Sequence, residues 1–129
     1  FQIFVMQESA RKKILVIEDE PMLLKALEFK LTRDGFEVLL AADGKQALKM
    51  IKENEPDIVV TDIMLPYLNG LEIINYIKKE ITKKTGTIVL SKVGLEKTVV
   101  EAFELGADDF VAKPFSPNEL TIRIRKLLK

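Results

Sequence analysis

Short apolar segments alternate strictly with amphipathic segments along this chain, and this alternation limits the fold more than any other feature. The first pair is the β-branched run at residues 13–17 and a segment opened by Pro21, in which Leu24, Leu27 and Leu31 recur at helical spacing. Parallel strands are continuous apolar runs, and each return to the next strand needs a crossover, usually a helix. The pattern therefore predicts an α/β fold with a parallel sheet covered on both faces.

The same unit occurs five times. The predicted strands are residues 13–17, 36–42, 57–61, 87–90 and 109–112. The predicted helices are residues 21–34, 44–53, 71–80, 95–105 and 117–128. We therefore expect a doubly wound five-stranded parallel sheet with five helices.

Composition indicates one globular domain. The chain has 129 residues, of which 47% are hydrophobic and 31% are charged, a balance that supports a packed core. We assign residues 12–129 to this domain and interpret residues 1–11 as an N-terminal tail or a remnant of cloning. No apolar run approaches the about 20 residues that cross a bilayer, and no export signal precedes the domain, so we expect a cytoplasmic protein without membrane contact.

Charge and residue usage exclude several classes of function. Twenty Lys plus Arg balance twenty Asp plus Glu, so no overall basic field exists to hold nucleic acid directly. The chain has no Cys and no His, which excludes disulfides, thiolate metal sites, cysteine nucleophiles and histidine bases.

Polar residues follow the predicted strands at the end where binding sites form in open α/β sheets. Glu18 and Asp19 follow the first strand, Asp62 the third, Ser91 the fourth and Lys113 the fifth. If the first and third strands are neighbours, three carboxylates meet at one edge. Two like charges about 4 Å apart repel by roughly 4 kcal/mol at an effective dielectric constant of about 20, so a cation or a raised pKa is needed.

Oxygen ligands with room for water suit Mg²⁺. A carboxylate beside Mg²⁺ and Lys113 can attack phosphorus, and Ser91 offers a hydroxyl to the product. Taken singly, these residues also fit ordinary roles, since the acids at residues 18–20 could cap the first helix and Lys113 could be a solvated lysine. Their placement at one edge favours the functional interpretation.

Three motifs carry a family resemblance. The runs at residues 14–21, 60–66 with Gly70, and 106–115 resemble the receiver domain of two-component response regulators, of the chemotaxis-regulator type. The resemblance implies a flavodoxin-like fold with strand order 2-1-3-4-5. It also implies that Asp62 accepts a phosphoryl group from a phosphohistidine on a sensor histidine kinase or phosphotransfer protein, that Lys113 pairs with that group, and that Pro114 follows a cis peptide bond.

The resemblance assigns a metal site as well. Asp19, Asp62 and the backbone carbonyl of Met64 would bind Mg²⁺, and Glu18 would act mainly through a bound water. Such a protein is a switch rather than an enzyme, because it supports only its own phosphotransfer and dephosphorylation.

The expected switch residues are Ser91 and Phe110, which would move toward the phosphate together. The face of helix four, strand five and helix five would then change its affinity for an output domain or effector protein. Family members that regulate transcription dimerise through this face. Asp109 and Arg123 match one pair of that dimer, and Glu119 matches half of another whose basic partner is replaced by Val99, so a homodimer formed on phosphorylation is one hypothesis.

Several residues depart from the family pattern. Lys92 stands where a small residue usually leaves the phosphate pocket open. Phe110 lacks the phenol of the commoner Tyr, so its coupling must come from ring packing. Met64 and Val93 are apolar at positions that influence attack by water, which predicts slow loss of phosphate.

Three other classes of function fit parts of this sequence. An aspartyl-nucleophile phosphohydrolase would carry a second Asp where Met64 stands. A receiver-like interaction module that is never phosphorylated is kept open by Lys92. A nucleotide-binding domain is disfavoured because the turn at residues 18–21 has no glycine and is negatively charged.

Overall fold

The computed structural model describes residues 11–129, and in this part of the chain strands and helices alternate as predicted. The elements are β1 (Lys13–Ile17), α1 (Pro21–Arg33), β2 (Glu37–Ala41), α2 (Gly44–Asn54), β3 (Ile58–Asp62), α3 (Gly70–Glu80), β4 (Gly86–Lys92), α4 (Glu96–Glu104), β5 (Asp109–Lys113) and α5 (Pro117–Leu128). The interpretation of the N-terminal tail concerns residues that, except for Arg11, lie outside this part.

The five strands form one parallel sheet in the order β2-β1-β3-β4-β5, which confirms the predicted topology. The first strand and the last helix have the predicted bounds. The fourth strand is longer than the prediction of residues 87–90, because it lies between two partners and its ladder with β5 continues through Ser91 and Lys92. The prediction that Ser91 lies beyond this strand is therefore wrong.

The sheet alternates its side chains between two helical layers. On one face, Val16, Val60 and Leu90 are fully buried against Leu27 of α1 and Leu120 of α5. On the other face, α2, α3 and α4 cover the sheet, and Leu15 and Val59 pack against Ile51 and Ile73. Both faces of the central strands are therefore apolar, which is the reason for their continuous hydrophobic runs. No helix within residues 11–129 is long and apolar enough to span a membrane.

Gly70 sits where the loop after β3 passes very close to the strand end. Its backbone N–H donates to the Ile63 carbonyl at 2.7 Å, and a Cβ built on this residue would lie 2.5 Å from the Asp62 carbonyl oxygen. Asn69 and Glu72 then form a reciprocal capping box that starts α3. This close approach ties the loop to the backbone of Asp62.

Gly70→Ala should lower the free energy of unfolding by about 1–3 kcal/mol, because the added methyl group forces the loop away from the strand. Urea unfolding measures this change. Lys79→Ala, an exposed substitution on the same helix, is the matched control and should be nearly neutral. An unchanged midpoint for Gly70→Ala would show that the loop is loose.

Asp57 anchors the opposite end of β3. Its carboxylate accepts from the backbone N–H of Lys13 at 2.8 Å and pairs with the Lys83 ammonium at 3.0 Å. Burial works to raise the pKa of Asp57, but these hydrogen bonds and the charge of Lys83 outweigh it and hold the pKa below its ordinary value of 3.8. The carboxylate thus links the start of β1 to the segment before β4.

A carboxyl whose pKa is lower in the folded than in the unfolded chain stabilises the fold above the unfolded value, and this contribution is lost as pH falls through the folded value. Asp57→Ala should therefore lower the free energy of unfolding by about 1–2 kcal/mol at neutral pH. The difference from wild type should shrink as the pH falls below 3.8. Urea unfolding at pH about 7 and about 3 tests this, with the exposed Glu53→Ala as control; a difference independent of pH would contradict it.

Candidate functional site

The carboxyl ends of β1, β3 and β5 meet at one edge of the sheet and bring four charged residues together. Glu18 and Asp19 directly follow β1, Asp62 is the last residue of β3, and Lys113 is the last residue of β5. β1 and β3 are neighbours in the sheet, as the sequence argument required. The predicted acid cluster is thus present as one small site.

Lys113 is the positive centre of this site. Its ammonium donates to Glu18 Oε1 at 2.6 Å and to Asp62 Oδ2 at 2.8 Å. Burial acts to lower the pKa of Lys113, but the hydrogen bonds to Asp62 and Glu18 outweigh it and raise the pKa above its usual 10.5. The lysine is therefore charged at neutral pH and bridges two strands. The peptide bond from Lys113 to Pro114 is cis, as the resemblance implied.

Glu18 is a buried carboxylate, with only 1% of its surface exposed. Burial raises its pKa above 4.5, and the negative charge of Asp62 adds to this, although the bond from Lys113 partly opposes them. Its other oxygen accepts from the backbone N–H of Glu20 at 3.0 Å. Glu18 is thus held by one side-chain and one backbone donor.

The simple helix-capping interpretation of residues 18–20 does not account for these acids. Glu20 is the N-cap of α1, but its side chain makes no capping hydrogen bond. Glu18 is engaged with Lys113, and Asp19 is exposed at the rim of the site. Glu18 and Asp19 therefore belong to the site and do not cap α1.

The three carboxylates fit a hard divalent cation. Glu18, Asp19 and Asp62 each offer one carboxylate oxygen, and these atoms lie within 4.8 Å of one another. Lys113 pairs with two of them, Glu18 and Asp62, so within residues 11–129 the three acids are only partly neutralised. An oxygen-only donor set with an exposed member leaves room for water ligands, which is the preference of Mg²⁺.

The backbone after β3 also reaches the site. The Met64 N–H donates to Asp62 Oδ1 at 3.3 Å, so this peptide lies at the rim beside the carboxylate. The side chains of Met64 and Val93 are both largely exposed, and neither carries a hydrogen-bonding group near Asp62. Asp62 itself is only 4% exposed. Both of its carboxylate oxygens accept a hydrogen bond, Oδ1 from the Met64 N–H and Oδ2 from the Lys113 ammonium.

Ser91 lies near the site but is turned toward its own strand. Its buried hydroxyl donates to the Lys92 carbonyl at 3.1 Å, and in the described part of the chain neither Asp62 nor Lys113 is its partner. Lys92 is the register partner of Lys113, is exposed, and lines the same surface cavity as Lys113 and Glu20. Lys92 therefore lies in the surface cavity next to the site and not in the acid cluster itself.

Phe110 is partly exposed on β5. Its ring packs edge to face on Phe103 of α4, with ring centroids 6.1 Å apart at 90°. This contact joins β5 to α4 through rings alone, in agreement with the absence of a phenol.

The acidic and basic residues of the predicted dimer face pair within one chain. Arg123 donates to both carboxylate oxygens of Asp109 at 2.9 and 3.0 Å and to Glu119 at 3.4 Å. The hydrogen bonds to Asp109 raise the pKa of Arg123 above its ordinary value. Val99, the departure from the family pattern, is a buried residue of α4 itself. A dimer using these charges would have to exchange them between chains.

Two parts of the site were not anticipated from the sequence. From the sequence, Lys113 is expected to pair with an incoming phosphoryl group, and its direct bond to Glu18 is not predicted. The Glu20 N–H that orients Glu18 is not predicted either. The contact of Lys113 with Glu18 could have been predicted, because Lys113 is the basic residue at a strand end that faces three acids. The contact of the Glu20 N–H could not, because every residue type except proline carries this backbone donor.

Comparison with known proteins agrees with this site. The family model for the response regulator receiver domain matches residues 14–125. The probable transcriptional regulator ycf27 of Cyanophora paradoxa is 43% identical over 122 residues, which are 95% of this chain and 50% of that protein. The alkaline phosphatase synthesis transcriptional regulatory protein PhoP of Bacillus subtilis is 38% identical over 118 residues, 92% of this chain and 49% of that protein.

A solved structure shows the same fold. The receiver domain of the Francisella response regulator 1452 superposes with a TM-score of 0.83 at 34% sequence identity, covering 91% of this chain and 96% of that one. This chain spans about half the length of the curated relatives it matches. The sheet order, the acid cluster and these matches lead to one conclusion: the chain belongs to the response regulator receiver domain family of two-component signalling.

Proposed function

We propose that Asp62 of this receiver domain accepts a phosphoryl group from the phosphohistidine of a sensor histidine kinase or phosphotransfer protein. The observation that carries the proposal is the Lys113 ammonium, which lies 2.8 Å from the Asp62 carboxylate inside a cluster of two further acids. A buried carboxylate that lies at a strand end and is already paired with a cation is suited to attack on phosphorus.

The transfer is a simple exchange of bonds. A carboxylate oxygen of Asp62 forms a bond to phosphorus while the bond from phosphorus to the donor's ring nitrogen breaks. That nitrogen keeps the electron pair, and the ring leaves as neutral imidazole after taking up a proton. The phosphoryl oxygens then carry the negative charge that must be stabilised in the site.

The chain offers two sources of that stabilisation. Glu18, Asp19, Asp62 and the Met64 carbonyl would hold Mg²⁺, which when bound neutralises charge on the phosphoryl oxygens. Lys113 would turn its ammonium from the Asp62 carboxylate to a phosphoryl oxygen, a short movement because the two groups are already in contact.

Ser91 and Phe110 would report the event to the surface. The Ser91 hydroxyl would leave the Lys92 carbonyl for the phosphoryl group, and the packed rings of Phe110 and Phe103 would move with it. The surface of α4, β5 and α5 would then shift between two forms that differ in affinity for an output domain or effector. The printed names of two relatives describe transcriptional regulators, which supports an output of that kind.

Incubation with acetyl phosphate should add one phosphoryl group to the wild-type chain, and only when Mg²⁺ is present, because the acids otherwise repel the donor. Intact mass spectrometry measures the gain. Asp62→Asn should gain none, and Asp19→Asn should need much more Mg²⁺ for the same yield.

Glu80→Gln is the matched control, because this exposed carboxylate lies at the far end of α3. It should be phosphorylated like the wild type. If the wild type gains no mass while it still binds Mg²⁺ and remains folded, the chain is an interaction module that is not phosphorylated, and the proposal fails.

Loss of the phosphoryl group should be slow, with a half-life of minutes or longer. The exposed side chains of Met64 and Val93 offer no hydrogen bond to orient an attacking water. Met64→Asn should shorten the half-life several-fold, since its amide can hold such a water. The decay of the phosphorylated mass after removal of acetyl phosphate tests this, and a wild-type half-life of seconds would contradict it.

A further inference from the structure

A second concave site lies at the opposite edge of the sheet, where the strands begin. This basal cavity has a volume of about 550 Å³ and is lined by five lysines, Lys12, Lys78, Lys83, Lys84 and Lys129. Its volume is within the range of small-ligand sites. Neither the phosphoacceptor chemistry nor the switch face uses it.

The lysines outnumber the acids of the basal cavity. Asp57 and Asp108 are the acidic residues of its lining, against five lysines. One of these lysines, Lys83, already donates to the Glu55 carbonyl at 2.7 Å. Both acids are already engaged: Asp57 pairs with Lys83 at 3.0 Å, and Asp108 accepts from the Thr87 N–H at 2.8 Å and the Thr87 hydroxyl at 3.3 Å. The cavity therefore keeps an excess of positive charge although the whole chain is neutral.

Ordinary structural roles account for some of these lysines, but not for Lys12 and Lys84. Lys78 lies in the last turn of α3, where a cation stabilises the helix dipole. Lys12 and Lys84 lie outside the helices, are exposed, and form no ion pair within 4.0 Å among residues 11–129. An anionic ligand can therefore stabilise these two ammonium groups, which have no carboxylate within ion-pair distance in the described part of the chain.

We propose that the basal cavity binds a compact oligophosphate anion, either free or as the phosphate tail of a nucleotide. Lysine ammonium groups are point charges that hold phosphate oxygens without a fixed fork geometry. The excess of three positive charges matches the several negative charges of a tripolyphosphate. Ile81 and Leu128 add an apolar wall. Duplex DNA fits less well, because the site is concave and the chain lacks an overall basic field.

The test is calorimetric titration of the wild-type chain with inorganic tripolyphosphate at low ionic strength. We expect saturable binding of one anion per chain. Lys12→Gln/Lys84→Gln should bind about tenfold more weakly, and the exposed α2 pair Lys49→Gln/Lys52→Gln, which removes the same charge elsewhere, should bind within about twofold of wild type. Absent binding, or equal weakening in both double variants, would overturn the proposal.

Two further measurements keep the result clear. Amide chemical shifts of the wild-type chain should change at Thr85 and Gly86 of the cavity and not at Asp62, which locates the anion even if a double variant folds poorly. ATP is the second ligand: tighter binding than tripolyphosphate assigns the site to a nucleotide, and weaker binding assigns it to the free anion. Binding of duplex DNA alone would contradict the site. Asp62→Asn should bind the anion like wild type, so this test is independent of phosphorylation.

Discussion

The contact of one ammonium with two carboxylates governs the functional edge of this domain. The neighbouring apolar strands β1 and β3 end side by side, and the acids at their ends would repel each other in a partly buried site without a cation. Lys113 supplies that cation at 2.6 Å from Glu18 and 2.8 Å from Asp62. It also joins β5 to β1 and β3 across the intervening β4. The same contact therefore stabilises the edge and places a positive charge beside the carboxylate of Asp62, the proposed phosphoacceptor.

This arrangement makes the site responsive. The pKa of Glu18 is raised, chiefly by burial, while that of Lys113 is raised by the bonds that outweigh its burial. A new anionic group on Asp62 would compete with Glu18 for the ammonium, and a divalent cation would relieve the remaining acid repulsion. Both effects would act on the ends of β1 and β3, beside β4 in the sheet.

Alternation of apolar and amphipathic segments was enough to predict every strand and helix, because burial on both faces leaves a strong signal in sequence. It did not predict the end of β4, since pairing with β5 extends this strand past its apolar run to Ser91 and Lys92. The acid cluster was predictable from strand ends. The orientation of the Ser91 hydroxyl and the internal pairing of Arg123 with Asp109 were not, because both depend on which neighbour a side chain reaches in the folded chain.

Charge balance illustrates the same limit in another way. Over the whole chain the charges of 20 basic and 20 acidic residues cancel, and from this balance we expect no overall basic electrostatic field. A net charge of zero can hide a local separation of acidic and basic residues. In a parallel sheet all strand ends lie at one edge and all strand starts at the other, so residues that flank the strands are sorted between two edges. Acids collect around Asp62 at the first edge and lysines collect around Asp57 at the second. Net charge therefore limits long-range attraction to polyanions, but it does not limit local recognition of a small anion in a cavity whose cations come from separate segments of the chain.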